Sequence, residues 1–450
     1  MAGRVVVIGG TAAGLSAASK AKRVDPSLEI TVFEKSGYIS YGACGLPYFV
    51  GGMIDEPLDL VSLTVDQMTG KRGIPTFIHH EVTKIDRDAK QVTVTNLDSG
   101  EVSVHPYDKL VIATGARPVI PPIPGVHAGR VHVLRTVEDG ISLKAAAGKG
   151  GKAAIIGGGF IGIEVAEEMA LSGIEVHLFE AMPRLLPFLQ EEFSDRVLET
   201  LRTHGVQVHL SATVREVLTD NGEACGVRTD EGELPADIVL LSIGVRPASE
   251  LAREAGLALS VRDAILVDDE MRTSDEDIYA CGDCAMEKHI VTGQPVYIPL
   301  GTTANKQGRI AGGNLAGLHD RFKGVLGSMV TKAFDLTVAA TGLSLQQARD
   351  AGYDAVSSVI TKADRASYYP GGRDNVLCFI LDSKSGRLLG AQGIGSESVA
   401  GRINVLATAI TAGMTVAEIN ELDLVYAPPV APVYDPILIA ASQAMKKVKG

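Results

Sequence analysis

The sequence predicts an α/β protein in which two parallel-sheet units of one kind are followed by an α+β unit. Three observations support this prediction. A strand, a glycine-rich turn, a helix and a second strand follow one another over residues 4–34. The same succession recurs over residues 153–180. From about residue 325 the pattern changes to alternating segments, which are typical of an antiparallel sheet.

Composition limits the kinds of partner that we expect. The 450 residues are 46% hydrophobic, which suffices for about two to four domains with full cores. A formal net charge of −12 disfavours nucleic acid and anionic membranes as general partners. The chain enters a strand at Arg4 with no signal-peptide pattern, and no apolar run is long enough to span a membrane. We therefore expect a cytoplasmic protein that binds neither nucleic acid nor membrane.

The first glycine-rich turn, residues 9–14, follows a strand and opens a helix. It matches the G-x-G-x-x-G pattern except that Thr11 replaces the middle glycine. The next strand ends in an acid, Glu34, which lies 20 residues after Gly14. That acid is placed to hydrogen-bond a ribose, while a pyrophosphate rests on the helix N-terminus. The unit is therefore predicted to bind a dinucleotide.

The second turn, residues 157–162, matches the pattern fully and leads to a strand that ends in Glu180. Two such units predict two bound dinucleotides. A carboxylate at Glu180 accepts from the 2′-hydroxyl of NAD and repels the 2′-phosphate of NADP. We therefore expect NADH to be preferred, although Arg184, the nearest cation, could soften that preference.

Two strands that close these units end in glycine followed by Arg-Pro, at Gly115 and Gly244, which suits crossings between domains. A later strand runs into Gly282 and Asp283, which can aim a carboxylate at a hydroxyl-rich ligand. The predicted domains are residues 1–115 with 245–324, residues 116–244, and residues 325–450.

One cysteine, Cys44, lies just after the first unit in a run of small residues. Gly45 removes bulk next to the sulfur, and Pro47 is tolerated in a first helical turn. We therefore expect Cys44 at a helix N-terminus, where free N–H groups and the dipole favour a thiolate. No second cysteine follows within ten residues, so the redox partner is external or is oxygen. Cys281 and Cys284 form a C-x-x-C pair, but nothing nearby completes a metal site, so no metal is expected.

The C-terminal region offers tyrosine as its acid. All ten histidines lie at or before His319, so no histidine base is available there. Three prolines lie within residues 428–432 and predict a stiff extended segment that can hold Tyr426 in place.

These features together resemble the flavin disulfide reductase superfamily and, within it, the single-cysteine branch of the coenzyme A-disulfide reductases. The resemblance covers essentially the whole chain. It is carried by both glycine turns, by the Cys44 run, and by Ala113-Thr114-Gly115 and Gly282-Asp283. Its most specific parts are the run from Tyr368 to Gly371 and the run from Tyr426 to Pro429.

The resemblance implies two Rossmann-like domains, the first for FAD and the second for NAD, and a C-terminal α+β dimerisation domain. It implies a homodimer with shared active sites, in which Tyr368 and Tyr426 reach the site of the partner subunit. Interface packing is the competing interpretation of both tyrosines. The residues implied for cofactor binding are Gly9, Ala12, Ala13, Gly14, Glu34, Lys35, Ala113, Thr114, Gly115, Asp283 and Ala304 for FAD, and Gly157, Gly159, Phe160, Ile161, Gly162, Glu180 and Gly244 for the nicotinamide nucleotide.

The implied activity is an FAD-dependent NADH:disulfide oxidoreductase in which electrons from NADH reach a small disulfide through Cys44. Coenzyme A-disulfide is the first expected substrate, followed by a coenzyme A persulfide or polysulfide. Ser40 is implied in substrate binding. Lys20 and Arg23 share a helix face and could meet the phosphates of coenzyme A, although a solvated face fits the pattern equally well.

Two other functions remain open. The chain could be an NADH oxidase or peroxidase in which Cys44 cycles through sulfenic acid, or an FAD- and NAD-binding redox sensor of low turnover. Oxidases and peroxidases of the resembling branch carry a histidine in the first glycine turn, where this chain has Ala12. The reductases often have Asn before the cysteine, where this chain has Ala43, so this chain departs from their pattern in the local support of the sulfur, which bears on the thiol substrate.

Overall fold

The computed structural model describes residues 3–449, and it starts with the predicted strand–turn–helix–strand unit. A 3₁₀ turn at Ala43–Gly45 precedes the second helix. The elements up to residue 115 are β1 (Arg4–Ile8), α1 (Ala12–Val24), β2 (Glu29–Phe33), α2 (Leu46–Val50), β3 (Thr76–Phe77), β4 (His80–Asp86), β5 (Gln91–Asn96), β6 (Val102–Pro106) and β7 (Lys109–Ile112).

Residues 116–244 repeat this succession. Their elements are β8 (Ala116–Pro118), β9 (Val131–His132), α3 (Val137–Ala147), β10 (Lys152–Ile156), α4 (Phe160–Leu171), β11 (Glu175–Glu180), α5 (Glu191–Thr203), β12 (Gln207–Leu210), β13 (Val214–Asp220), β14 (Glu223–Thr229), β15 (Gly232–Pro235) and β16 (Ile238–Leu241).

The chain then returns to the first unit before it forms the C-terminal region. Up to residue 324 the elements are β17 (Val245–Pro247), α6 (Glu250–Glu254), β18 (Ile278–Ala280), β19 (Glu287–Lys288), β20 (Pro295–Val296) and α7 (Gly301–Leu315). The C-terminal elements are β21 (Met329–Ala333), β22 (Leu336–Gly342), α8 (Leu345–Asp350), β23 (Ala355–Ala363), β24 (Asp374–Asp382), β25 (Leu388–Gly395), α9 (Ser398–Ala412), α10 (Val416–Asn420) and α11 (Pro436–Met445).

Two five-stranded parallel sheets carry the two glycine turns. Their strand orders are β18-β7-β1-β2-β3 and β12-β11-β10-β16-β9. Each central strand, β1 or β10, is an almost wholly buried apolar run, as expected where a parallel sheet is covered on both faces. A three-stranded antiparallel sheet accompanies each unit, β4-β5-β6 in the first and β13-β14-β15 in the second. The structure therefore confirms the predicted duplication.

The two Arg-Pro segments lie side by side where the chain crosses between the units. β8 pairs with β17 in antiparallel register, with Arg117 opposite Arg246. The hydroxyl of Thr114 also donates to the carbonyl of Ala248 at 2.5 Å.

The C-terminal region is an antiparallel sheet of order β21-β22-β25-β24-β23, with α9 and α11 packed against it. Residues 376–381 of β24 are fully buried, because sheet and helices enclose them on both faces. This arrangement confirms the predicted α/β class with a C-terminal α+β unit. No helix within residues 3–449 is long and apolar enough to cross a membrane.

The prediction of an extended segment around Tyr426 is wrong in part. Residues 427–431 form a turn, in which the N–H groups of Val430 and Ala431 both donate to the carbonyl of Ala427. Pro428 and Pro429 fit that turn because fixed φ values of about −65° suit turn positions as well as extended chain.

Candidate active site

The first glycine turn is built so that only glycine fits its key positions. Gly9 has φ of 107°, and a Cβ there would lie 2.2 Å from the carbonyl oxygen of Ala113. A Cβ at Gly14 would lie 1.9 Å from the carbonyl oxygen of Gly9. The side chain of Thr11 does not cap α1, so the first N–H groups of this 13-residue helix remain free donors. Such a helix start fits a pyrophosphate.

The carboxylate of Glu34 is buried and fixed by the backbone around the turn. It accepts from the N–H of Gly10 at 2.7 Å and from the N–H of Ser36 at 2.8 Å. A cleft of about 410 Å³ opens beside it and extends to β4 and α6. The predicted FAD residues that line this cleft are Gly9, Glu34, Lys35, Ala113, Thr114 and Gly115. The residues therefore fit an FAD adenosine and pyrophosphate.

Three further predicted FAD positions meet where α1, α7 and the end of β18 converge. Gly282 has φ of 78°, and a Cβ there would lie 2.7 Å from the Cβ of Ala13 and 3.5 Å from that of Ala304. This close approach brings Asp283 toward the first glycine turn. The carboxylate of Asp283 accepts from the guanidinium of Arg135 at 2.8 Å.

The second glycine turn repeats the first. A Cβ at Gly157 would lie 2.5 Å from the carbonyl oxygen of Ser242, and one at Gly162 would lie 2.0 Å from that of Gly157. Gly159, the N-cap of α4, has open space around it and leaves the helix start uncapped. The turn therefore leaves room for a dinucleotide to approach the backbone closely.

The carboxylate of Glu180 is oriented in the same way as that of Glu34. It accepts from the N–H of Gly158 and from the N–H of Met182, both at 2.8 Å. Arg184, the nearby cation, is paired with Glu191 at 3.4 Å. This pairing leaves the acid unopposed and favours a 2′-hydroxyl over a 2′-phosphate.

The other predicted nicotinamide-site positions surround this turn. Phe160 is half-buried with its ring 5.8 Å from that of Phe188, and Ile161 next to it is exposed. Gly244 has φ of 106° and accepts from the N–H of Val119. The predicted gating role of Phe160 stays a prediction.

Cys44 lies in the 3₁₀ turn just before α2, and its side chain reaches the surface. The expectation that this position favours a thiolate is wrong for the protein's own groups. Burial raises the pKa of the Cys44 thiol, and the charge of Glu164 raises that pKa further, while Arg135 opposes the shift. The five-residue helix α2 is too short to outweigh them.

Helix α4 connects the cysteine to the rest of the molecule. The hydroxyl of Thr331 on β21 donates to Glu164 at 2.9 Å, and the N–H of Phe334 donates to Glu167 at 2.8 Å. Glu168 is buried against Gly51 at the end of α2. One helix thus starts at the nucleotide turn, passes the Cys44 segment and contacts the C-terminal sheet.

Tyr368 and Tyr426 are brought together, although 57 residues separate them in the chain. Their hydroxyl oxygens are 2.9 Å apart, and the side chains are 73% and 45% exposed. The hydrogen bond between the two hydroxyls raises the pKa of Tyr426, so Tyr426 keeps its proton at neutral pH. The pair therefore presents two protonated hydroxyl groups on the surface of the C-terminal region.

The predicted substrate-binding residues lie in two places, Lys20 and Arg23 on α1 and Ser40 before the Cys44 turn. Ser40 adopts a left-handed φ of 51°, and its N–H donates to the carbonyl of Gly10, which ties the Cys44 run to the first glycine turn. Lys20 lies against Gly313 of α7, and Arg23 is exposed near the end of α1. Their contact with a substrate stays a prediction.

Sequence reasoning missed two residues of this site. Arg135 joins Asp283 and acts on Cys44, and Glu164 follows the second turn on α4. Neither lies near Cys44 in the chain. The position of Glu164 two residues after the last turn glycine was the one available signal.

A chain with two dinucleotide units, a surface thiol and an exposed tyrosine pair has the layout of a flavoprotein oxidoreductase. The comparisons show the family. The pyridine nucleotide-disulphide oxidoreductase model matches residues 3–308, and the dimerisation-domain model of the same group matches residues 329–435. The chain belongs to this family, its cofactors are FAD and NAD(P)H, and the dimerisation domain supports a homodimer.

Individual relatives share nearly the whole chain. The NAD(P)H coenzyme A polysulfide/persulfide reductase of Pyrococcus horikoshii is 37% identical over 97% of both chains. The NAD-dependent persulfide reductase of A. fulgidus is 42% identical with a TM-score of 0.95, covering 99% of this chain and 83% of that one. The CoADR-RHD protein of Bacillus anthracis is 37% identical with a TM-score of 0.96, covering 100% and 81%. Other relatives are called NADH oxidase and coenzyme A disulfide reductase.

Proposed function

We propose that the protein uses NADH to reduce a coenzyme A-linked disulfide, persulfide or polysulfide through Cys44. One observation carries the proposal. Of the five cysteines, Cys281, Cys284 and Cys378 are buried, and Cys225 is exposed on β14 of the second unit. Cys44 therefore has no thiol partner beside it in its own chain, and the second sulfur comes with the substrate.

Cys44 breaks the sulfur–sulfur bond of the substrate. Its thiolate attacks one sulfur, keeps that half as a mixed disulfide and releases the other half as a thiolate. Residues such as Gly9 and Glu34 would hold FAD, which would supply the two-electron chemistry that links NADH to cleavage of the mixed disulfide. Cys44 then returns to the thiolate, and the second half leaves as a thiol. The raised pKa of the free thiol means that the bound cofactor, Arg135 and the substrate must favour the thiolate together.

Tyr426 supplies the proton for the departing thiolate. A tyrosine with a pKa at or above its ordinary value of about 10 is protonated at neutral pH and can donate to a basic alkyl thiolate. We propose that Tyr368 and Tyr426 of the partner subunit stand next to Cys44, which makes each active site a shared one. The exposure of both hydroxyls in a single chain supports this arrangement.

Two observations support a substrate that carries coenzyme A. The Pyrococcus relative is called a coenzyme A polysulfide/persulfide reductase, and another relative is called a coenzyme A disulfide reductase. In this chain, Lys20 and Arg23 lie in the second half of α1, the helix that starts at the first nucleotide site, and Ser40 adjoins the Cys44 run. These residues are proposed to receive the phosphates and the pantetheine arm.

The first experiment measures anaerobic NADH consumption with coenzyme A-disulfide, glutathione disulfide, polysulfide and peroxide side by side. We expect the coenzyme A substrate to be used best. Cys44→Ser should keep its flavin and the reduction of flavin by NADH but lose disulfide turnover. Cys225→Ser, which removes the other exposed thiol, should leave turnover unchanged. Full turnover by Cys44→Ser would contradict the proposal.

A subunit-mixing experiment tests the shared site. Tyr426→Phe keeps the ring and removes the proton, so it should lower disulfide turnover on the order of 10²-fold. Tyr434→Phe, an exposed tyrosine of the same segment, is the control. Mixing Cys44→Ser with Tyr426→Phe subunits restores one intact site in the heterodimer. No recovery, with exchange confirmed, would mean that Cys44 and Tyr426 do not meet across the interface.

An NADH oxidase is the second candidate, because relatives of that name share most of the chain and Cys44 is open to the surface. In that case Cys44 would cycle through sulfenic acid, with oxygen or peroxide as the oxidant. Ala12 supplies no histidine at the first turn, which favours the disulfide reaction. Peroxide turnover that exceeds disulfide turnover in the side-by-side assay would reverse this order.

A further inference from the structure

The tyrosine pair comes from two long connections. Residues 364–373, between β23 and β24, carry Tyr368, and residues 421–435, between α10 and α11, carry Tyr426. The two connections are joined by one backbone hydrogen bond, from the N–H of Ala366 to the carbonyl of Pro428 at 3.3 Å. The hydroxyl oxygens of Tyr368 and Tyr426 are 2.9 Å apart, and connections of this length need further contacts to keep that distance.

The apolar core supplies little of that support to the Tyr426 connection. Val425, Val430 and Val433 are 86%, 63% and 63% exposed, respectively. Val430 also lines a cavity of about 400 Å³ that separates the connection from the start of α9. Leu422 and Leu424 pack against the core at the start of the connection and Ala431 is buried, but the three valines gain little from packing within the chain.

A buried arginine on α9 contacts the bases of both connections. The guanidinium of Arg402 donates to the carboxylate of Asp435 at 2.8 to 3.1 Å and to the backbone carbonyl of Asp364 at 3.0 Å. Its remaining nitrogen donates to the hydroxyl of Ser398 at 2.7 Å. Arg402 is 6% exposed and Asp435 is 8% exposed, so solvent competes little for these bonds.

Hydrogen bonds of Asp364 join the two ends of the Tyr368 connection. The carboxylate of Asp364 accepts from the N–H of Arg373 at 3.0 Å and from the hydroxyl of Ser396 at 2.8 Å, and the N–H of Asp364 donates to the carbonyl of Arg373 at 2.9 Å. The two ends of this connection are thus joined at the point that Arg402 contacts.

We propose that Arg402 is a positioning residue that ties both connections to α9 and thereby sets the geometry of the Tyr368–Tyr426 pair. This inference rests on the proposed function, which gives the pair its role in releasing the thiol. Arg402 acts only through the tyrosines. A lysine cannot replace it, because a guanidinium fixes direction through several parallel N–H bonds and an ammonium is a point charge.

The test uses two variants of the whole enzyme and one control. Arg402→Lys keeps the positive charge but loses the guanidinium and its parallel N–H donors. Asp435→Asn breaks the ion pair but retains an oxygen that can accept from the N–H of Ile437 and cap α11. Arg349→Lys makes the same exchange on α8, outside the network, and should have no effect. Each variant is made in the native background and with Tyr368 and Tyr426 both replaced by phenylalanine.

We expect each variant to lower kcat for coenzyme A-disulfide about 10- to 100-fold in the native background, because a misplacement of about 1 Å has that effect. In the double-phenylalanine background the further loss should be less than about 2-fold, as for residues that act as a unit. Flavin content, dimer formation and the rate of flavin reduction by NADH should not change.

Several results would overturn the inference. They are an equal loss in both backgrounds, no loss with either variant in the native background, or loss of the dimer or the flavin. The outcome also separates this inference from the proposed function. Full turnover by the double-phenylalanine enzyme refutes the role of the tyrosines, and a slow double-phenylalanine enzyme with an unaffected Arg402→Lys refutes only the role of Arg402.

Discussion

Glu287 gives the holoenzyme a pH-dependent stability that one substitution should remove. Its side chain is 1% exposed on β19, and its carboxyl accepts from the N–H of Ile298 at 3.0 Å. Burial, reinforced by the charge of Asp283, raises the pKa of Glu287 to about 8. In the unfolded chain the same group titrates near its ordinary value of about 4.3.

The sign follows from proton binding. Between about pH 4.3 and the folded-state pKa of about 8, the native protein holds a proton that the unfolded chain has released. Stability contributed by Glu287 is therefore complete at low pH and is lost as the pH rises, by about 1.4 kcal/mol per pH unit. From pH 6 to pH 8 the expected loss is about 2 to 3 kcal/mol. Glu287→Gln keeps an acceptor for Ile298 and cannot ionise, so this part of the pH dependence should disappear.

The assay compares the thermal midpoints of native enzyme, Glu287→Gln and the control Glu276→Gln at pH 6 and pH 8. Glu276 is exposed in the connection before β18. We expect the midpoints of native enzyme and control to fall between the two pH values by a few degrees more than that of Glu287→Gln. Parallel behaviour of all three proteins would refute the argument, because it would mean that Glu287 does not carry the proton.

Three further predictions concern the nucleotide sites. NADH should be preferred over NADPH. Glu180→Gln should lower the ratio of kcat/KM with NADH to kcat/KM with NADPH by about 10-fold, which is the size of one charged hydrogen bond. Equal kcat/KM values for the two cofactors in the native enzyme would contradict the role of Glu180. Because Ala12 replaces a histidine, oxygen should be reduced slowly and mainly to hydrogen peroxide, and rapid formation of water without peroxide would show that reasoning to be wrong. Gly9→Ala should lose FAD, measured as flavin per chain, because its Cβ would meet the Ala113 carbonyl, whereas Gly293→Ala, which also has a positive φ but open space around it, should retain FAD.

Local pattern sufficed for the parts of the fold that depend on neighbours in the chain. Both glycine turns and the acids Glu34 and Glu180 lie where the sequence predicts them, because turn sterics and hydrophobic period are local. The raised pKa of Cys44 was not predictable in this way. It depends on burial and on Glu164, which is 120 residues away in the chain and is brought near by packing of α4 on α2.

The C-terminal site shows the same limit. Tyr368 and Tyr426 were identified through resemblance, and the sequence did not show that their hydroxyls meet. The support from Arg402 depends on Asp364 and Asp435, which lie 38 and 33 residues away on either side. The polar residues of this network carry no period or motif, and only the tertiary fold brings them together.

The paired crossing of β8 and β17 has a consequence for how such an enzyme can change over time. Because the N–H of Ala248 donates to the carbonyl of Gly115 at 2.9 Å, residues 116–247 begin and end at one place. A segment whose two ends coincide can be exchanged, as in domain insertion, when the incoming segment keeps the contacts of α4 with the Cys44 segment and the C-terminal sheet. Grafting the corresponding segment of an NADPH-specific relative at this crossing is therefore a route to a new electron donor that leaves the Cys44 segment and the tyrosine pair in their own sequence.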